Sequence, residues 1–91
     1  AEESYEAALA IWREAGDRRR AALQLCNLVL LLAPLPERRA RAKVLGEACL
    51  AESRALAFPT GIAAALTGLG IIAEGEGDLG TAARCHEESA E

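Results

Sequence analysis

The sequence predicts an all-α chain of antiparallel helix pairs, and three observations carry that expectation. Apolar residues fill 52% of the 91 positions while aromatics fill only 3%. The apolar content is mainly Ala and Leu, which lead the helix-propensity ranking. Strand formers (Val, Ile, Thr, Tyr, Phe) are sparse and unclustered. Glycine and proline breakers cut the chain into five stretches of helical length, and similar residues return after 41 positions.

The first stretch, Glu2 to Ala15, stops at Gly16-Asp17, where Gly suits the left-handed position past a helix end. The second, Arg19 to Ala33, is halted by Pro34-Leu35-Pro36, since proline cannot continue a helix. The third runs from Glu37 to Ala57 and ends at Phe58-Pro59-Thr60, with Thr60 the expected N-cap of the next. The fourth spans Gly61 to Glu74. The turn Gly75-Glu76-Gly77-Asp78 follows, with Asp78 the natural N-cap of a fifth helix running from Leu79 to the end. The breaks are tight, so successive helices lie antiparallel.

Apolar faces sharpen the picture. In the second helix, Leu25, Leu28 and Leu32 form one stripe while Leu23 and Leu30 lie on another, the pattern of a helix packed on two sides. In the third, Val44, Leu45, Ala48, Cys49 and Leu56 are expected inside, with Arg39, Lys43, Glu47 and Arg54 facing water. Gly68 and Gly70 inside the fourth each cost ~1 kcal/mol relative to Ala. Close helix–helix contact is expected to offset that cost.

The helices repeat. Leu9 returns as Leu50, Leu25 as Leu66, Leu28 as Leu69 and Glu47 as Glu88, at the same interval each time; segment 20–28 aligns with 61–69. A helix-pair period of about 40 residues marks a solenoid, in which each pair buries its apolar face against its neighbours. Residues 1–16 then read as a trailing helix, 17–57 as a first helix pair, and 58–91 as a second, truncated pair. With no Met and no polar capping helices, the chain reads as a trimmed piece of an array, expected to self-associate by end stacking or helix exchange.

Leu66-x-x-Leu69-Gly70-x-x-Ala73, followed by Gly77-Asp78-Leu79 and Ala82, resembles the first-helix-and-turn pattern of tetratricopeptide repeats. Cys85 to Ser89 is similar to the second helix of that unit. The period of about 40, where the common repeat has about 34, and the string from Ala8 to Asp17 resemble the long repeats of large bacterial signalling proteins, LuxR-type ATP-dependent transcription regulators among them. The resemblance covers essentially the whole chain. It implies a right-handed superhelix whose first helices line a concave groove, here Leu23, Asn27, Leu30, Ala64, Thr67, Ile71 and Glu74. Asn27 falls where many family members hold a peptide backbone, but the lysines that clamp a C-terminal carboxylate are absent. The implied function is a non-catalytic scaffold for a protein or peptide segment, with a small-molecule-sensing segment of a transcription regulator as the alternative. The chain departs from the pattern at Val29, which stands where the later unit has Gly70, and at Arg41, where a small residue is usual. Pro34-Leu35-Pro36 also replaces a Gly-Asp turn, which implies an unusual angle between the second and third helices.

Charge and side-chain chemistry exclude other classes. A net charge of −4 argues against bulk attraction to nucleic acid or membrane surfaces. It is unevenly placed: −3 over residues 1–16, +5 over 17–43 and −6 over 44–91. The two basic groups, Arg18 to Arg20 and Arg38, Arg39, Arg41 and Lys43, lie at opposite ends of one helix, about 20 Å apart, so they form no single patch. Arg38 and Arg39 also sit in a first helical turn, where the dipole disfavours cations.

Cys26, Cys49 and Cys85 are odd in number and widely spaced, which predicts free buried thiols in a reducing cytoplasm. Cys85 and His86 point about 100° apart on a helix and form no nucleophile–base pair; a packed or half-buried His86 is expected. Residues 74–78 lack the alternating oxygen ligands of a calcium loop. Gly68-Leu69-Gly70 has no preceding strand and no Lys-Ser/Thr for a phosphate. No metal, cofactor or catalytic role is therefore expected. The longest apolar run, Leu28 to Leu35, falls far short of the ~20 residues of a membrane helix.

Overall fold

A computed structural model describes residues 2–90; Ala1 and Glu91, which the expected segment includes, lie outside the described residues. Among the described residues there are five α-helices and no strand. They are α1 (Glu2–Glu14), α2 (Arg18–Leu32), α3 (Arg39–Ala55), α4 (Pro59–Gly75) and α5 (Leu79–Ala90), with a 3₁₀ turn at Pro36–Arg38 before α3.

Helix starts follow the local chemistry, with two corrections. Asp17 caps α2 by accepting from the Arg20 N–H at 3.1 Å. Asp78 caps α5, accepting from the Thr81 N–H at 3.1 Å and the Thr81 hydroxyl at 2.7 Å. Thr60 is not a cap. Phe58 takes the N-cap place of α4 with extended backbone and no side-chain hydrogen bond, and Pro59 opens the helix. Proline is already set at the helical φ and lacks the N–H that a cap would satisfy. The third helix also starts later than expected, because Glu37 belongs to the 3₁₀ turn.

The ends of α1 and α3 close in the same way. At the end of α1 the Asp17 N–H bonds to the Trp12 carbonyl (3.0 Å) and the Gly16 N–H to that of Arg13 (3.1 Å). At the end of α3, Phe58 bonds to Ser53 (2.8 Å) and Ala57 to Arg54 (3.1 Å), every partner shifted by the interval that relates Leu9 to Leu50. Gly16 (φ +76°) and Ala57 (φ +49°) hold the left-handed position that closes each helix. Gly77 (φ +78°) does the same after α4. The matching place after α2 is Pro36, whose ring locks φ at about −65°. That turn therefore closes differently, through a Leu35 N–H bond to Leu32 (3.0 Å) and the 3₁₀ segment.

Burial centres on α2, which packs against α1, α3 and α4. Leu25, Leu28, Val29 and Leu32 are inaccessible or nearly so. Complete burial of such side chains stabilises by about 1.5–3 kcal/mol each. The buried stripe of α3 is Ala42, Gly46, Cys49 and Ser53. Val44, expected inside, is 68% exposed; two residues on from Ala42, it points about 200° away from that stripe.

α2 and α4 lie side by side, while ion pairs tie the remaining helices in a row. Glu2 pairs with Arg38 (3.5 Å) and Arg41 (3.6 Å), Glu6 with Arg41, Arg13 with Glu52 (3.7 Å), and Arg54 with Glu88 (3.2 Å). The acidic first helix thus stands against the basic start of α3. Each exposed pair contributes little, about 0–1 kcal/mol. Arg39 is placed otherwise. Its guanidinium lies against Gly75, where an added Cβ would meet Nη2 at 2.6 Å. Unfavourable at its own helix start, the cation is favourable at the C-terminal end of α4.

Candidate functional site

Beyond the exposed arginines of its first turn, α2 has little free surface, and what remains is mainly apolar. Three sides of the helix face α1, α3 and α4, leaving a stripe of Leu23, Asn27 and Leu30. Leu23 is 39% exposed and Leu30 38%, with half-buried Asn27 between them. Leu30 reaches α4: its Cδ2 stands 4.0 Å from where a Cβ on Gly68 would be. On α4, Ala64 and Ile71 share one face and are half-buried against the core.

Thr67 and Glu74 are turned toward α5 instead. The Thr67 hydroxyl donates to the Ala63 carbonyl (2.8 Å) and meets Ser89 Oγ at 3.1 Å. Glu74 Oε1 lies 2.6 Å from His86 Nε2. Of the seven predicted groove residues, Leu23, Asn27 and Leu30 share one stripe of α2, Ala64 and Ile71 share one face of α4, and Thr67 and Glu74 are engaged by the next helix. The His86 ring packs over Gly70 while its side chain remains 44% exposed.

Both interior glycines of α4 receive a neighbour, as their helix cost predicts. A Cβ on Gly68 would stand 2.4 Å from Val29 Cγ1, and one on Gly70 would stand 2.8 Å from His86 Cε1. The departure at Val29 is explained by its partner. In the first pair Val29 lies beside Gly46; in the second, Gly70 lies beside His86. Large and small have exchanged sides across the same helix–helix contact. This match sets α2 against α4 at the full repeat interval but α3 against α5 at an interval one residue shorter. The Pro34–Pro36 connection holds the extra residue. Buried Ala42, not Arg41, is accordingly the counterpart of buried Ala82.

The basic residues are dispersed among separate partners. Arg20 pairs with Asp17 (3.5 Å) and lies over Trp12, 4.7 Å from the ring centre. Arg19 lies over Phe58 at 5.3 Å. An open apolar cleft of about 440 Å³, outside the predicted groove, is lined by Ala57, Pro59, Ile62, Ala63, Glu88 and Ser89.

One constellation is not announced by any sequence pattern. Cys26 of α2 and Cys49 of α3 bring their sulfurs to 3.0 Å, both buried. The Gly61 carbonyl lies 3.8 and 3.9 Å from the two sulfurs, and Ser53 Oγ is 4.0 Å from Cys49. The contact with Cys26 holds the Cys49 thiol below its ordinary range, while the same contact and burial push Cys26 up. Cys85 is half-buried and raised by that burial. The one signal that could have found the pair is positional, because the matching places in the second pair hold Thr67 and Ser89, also in contact.

Among the described residues, no group of three or more His, Cys, Asp or Glu side chains stands together as a metal site requires. Among them, too, no helix is long and apolar enough to cross a membrane. No protein-family model matches the chain, and neither a curated protein nor a solved structure does.

Proposed function

We propose that the chain is a segment of a right-handed, tetratricopeptide-like superhelix from a larger bacterial regulatory protein, acting as a non-catalytic scaffold. It holds an apolar or helical protein segment on the face formed by α2 and α4. The observation that carries this reading is the pair Leu23 and Leu30. On a helix packed against three neighbours, they stay more than a third exposed on either side of Asn27. Leucines two turns apart, with a polar group between them, suit the apolar stripe of an amphipathic helix. The backbone closures that recur after α1 and α3 support the repeat part of the reading.

A displayed library of helical and extended peptides, selected on the wild-type chain, tests it. Selected peptides are expected to lose at least tenfold in affinity for Leu30→Glu and Ile71→Glu, with the helical circular dichroism of both variants preserved. Folded variants that bind with unchanged affinity overturn this groove. Should the peptides fail while metabolites raise the melting temperature, the small-molecule reading takes its place, since a ligand bound only to the native form stabilises it.

A further inference from the structure

We propose that Cys26 and Cys49 form a redox-modification site, oxidised by peroxide to an intrachain disulfide that ties α2 to α3. The two sulfurs are already in direct contact at 3.0 Å, about 1 Å longer than a disulfide bond. They sit on different helices, 23 residues apart, so the bond would close a loop and not merely staple one turn. The site is paired and enclosed. Exposure is 2% for Cys26 and 0% for Cys49, and both sulfurs face the Gly61 carbonyl in the first turn of α4.

The surroundings assign the order of events. The contact with Cys26 and the Ser53 hydroxyl 4.0 Å away favour the thiolate at Cys49, while the same sulfur contact and burial favour the thiol at Cys26. The Cys49 thiolate attacks one oxygen of hydrogen peroxide, breaking the O–O bond, and leaves a sulfenic acid with release of hydroxide. The Cys26 sulfur then attacks the Cys49 sulfur, and the displaced hydroxyl leaves with a proton as water. Overall, two thiols lose two protons and two electrons, and one peroxide becomes two waters. Because both sulfurs are covered, the reaction follows local opening of α3 from α2 and is slow compared with that of an exposed thiolate. Cys85, half-buried with a raised thiol and no cysteine partner among the described contacts, is the internal comparison.

The experiment uses the reduced wild-type chain, so its outcome does not depend on any variant folding. The chain is treated with hydrogen peroxide under native conditions, then unfolded and alkylated, and digested with trypsin without reductant. Each cysteine falls in its own peptide: 21–38, 44–54 and 85–91. The expected product is 21–38 joined to 44–54, two hydrogens lighter than the sum of the free peptides, and separated again by dithiothreitol. It should form equally in Cys85→Ala, and the oxidised chain should melt about 10 °C higher, from the loss of freedom in the unfolded state. Recovery of Cys26 and Cys49 fully alkylated at a peroxide dose that converts Cys85 overturns the proposal. So does a cross-link that runs through Cys85.

Discussion

Val29 of α2 presses its Cγ1 against the backbone of α4 at Gly68, where a Cβ would stand only 2.4 Å away. The neighbouring close approach, His86 over Gly70, has nearly the same geometry but a different mechanical character. Val29 is fully buried and β-branched, with one strongly preferred rotamer in a helix. His86 is a longer side chain with an open route to solvent.

This contrast separates two substitutions that look alike in sequence. Gly68→Ala gains about 1 kcal/mol of helix propensity but forces overpacking that costs about 1–3 kcal/mol. A net loss of about 1 kcal/mol is expected, visible as a melting temperature lower by about 4–8 °C. Gly70→Ala lets His86 swing outward, so the propensity gain survives and melting should rise. The cycle with Val29→Ala checks the cause, since removing the valine methyls should abolish most of the Gly68→Ala penalty. Equal losses at both glycines would sink this account.

Ala57 occupies a left-handed position that Gly16 fills at the equivalent helix end. An L-residue with a Cβ costs roughly 1–2 kcal/mol there, while glycine brings about 0.5–1 kcal/mol of additional chain entropy loss. Ala57→Gly is expected to stabilise by about 0.5–1 kcal/mol, and Gly16→Ala to destabilise by a similar amount. Urea unfolding of the two variants measures both; a destabilised Ala57→Gly would mean that other contacts hold this turn.

Asp78 supplies a pH dependence with a definite sign. Hydrogen bonds from the Thr81 hydroxyl and N–H hold its carboxyl below the ordinary 3.8. The unfolded chain binds that proton more readily, so the cap stabilises fully above 3.8 and less as pH falls through the lower folded value. Asp78→Asn keeps a capping oxygen that does not titrate. Thermal melts between pH 5 and 2 should show a shallower acid loss for the variant than for wild type. Parallel curves would remove Asp78 as a contributor.

Much of the fold is legible in the chain because its signals are local. Gly16, Pro34, Pro36, Pro59 and Gly77 act on their own φ angles, and Asp17 and Asp78 on N–H groups three residues away. The α2 leucine stripe repeats at helical spacing and is buried as its period requires. The partly exposed stripe of Leu23, Asn27 and Leu30 on α2 is legible for the same reason, as a second face on one helix. Thr67 and Glu74 are less so. They lie on α4 about 60° around from the Ala64–Ile71 face, and that rotation hands them to α5.

Local signals alone fix the all-helical class, the succession of helices, most of their ends and the residues of the central core. Each of these follows from backbone preference or from periodicity within a single helix. Which residues meet across helices was left to the tertiary packing. It placed Val29 in the space left by Gly68, exchanged large and small between Val29–Gly46 and Gly70–His86, and set Arg38 and Arg41 against Glu2 and Glu6. It also brought Cys26 and Cys49 into one buried contact. The difference lies in the register between helices. The Pro34–Pro36 connection holds one residue more than the turn between α4 and α5, so the α3–α5 interval is one shorter than the α2–α4 interval, and on a helix one residue is a rotation of about 100°. A pairing between distant residues is fixed only when the connection between their helices has folded.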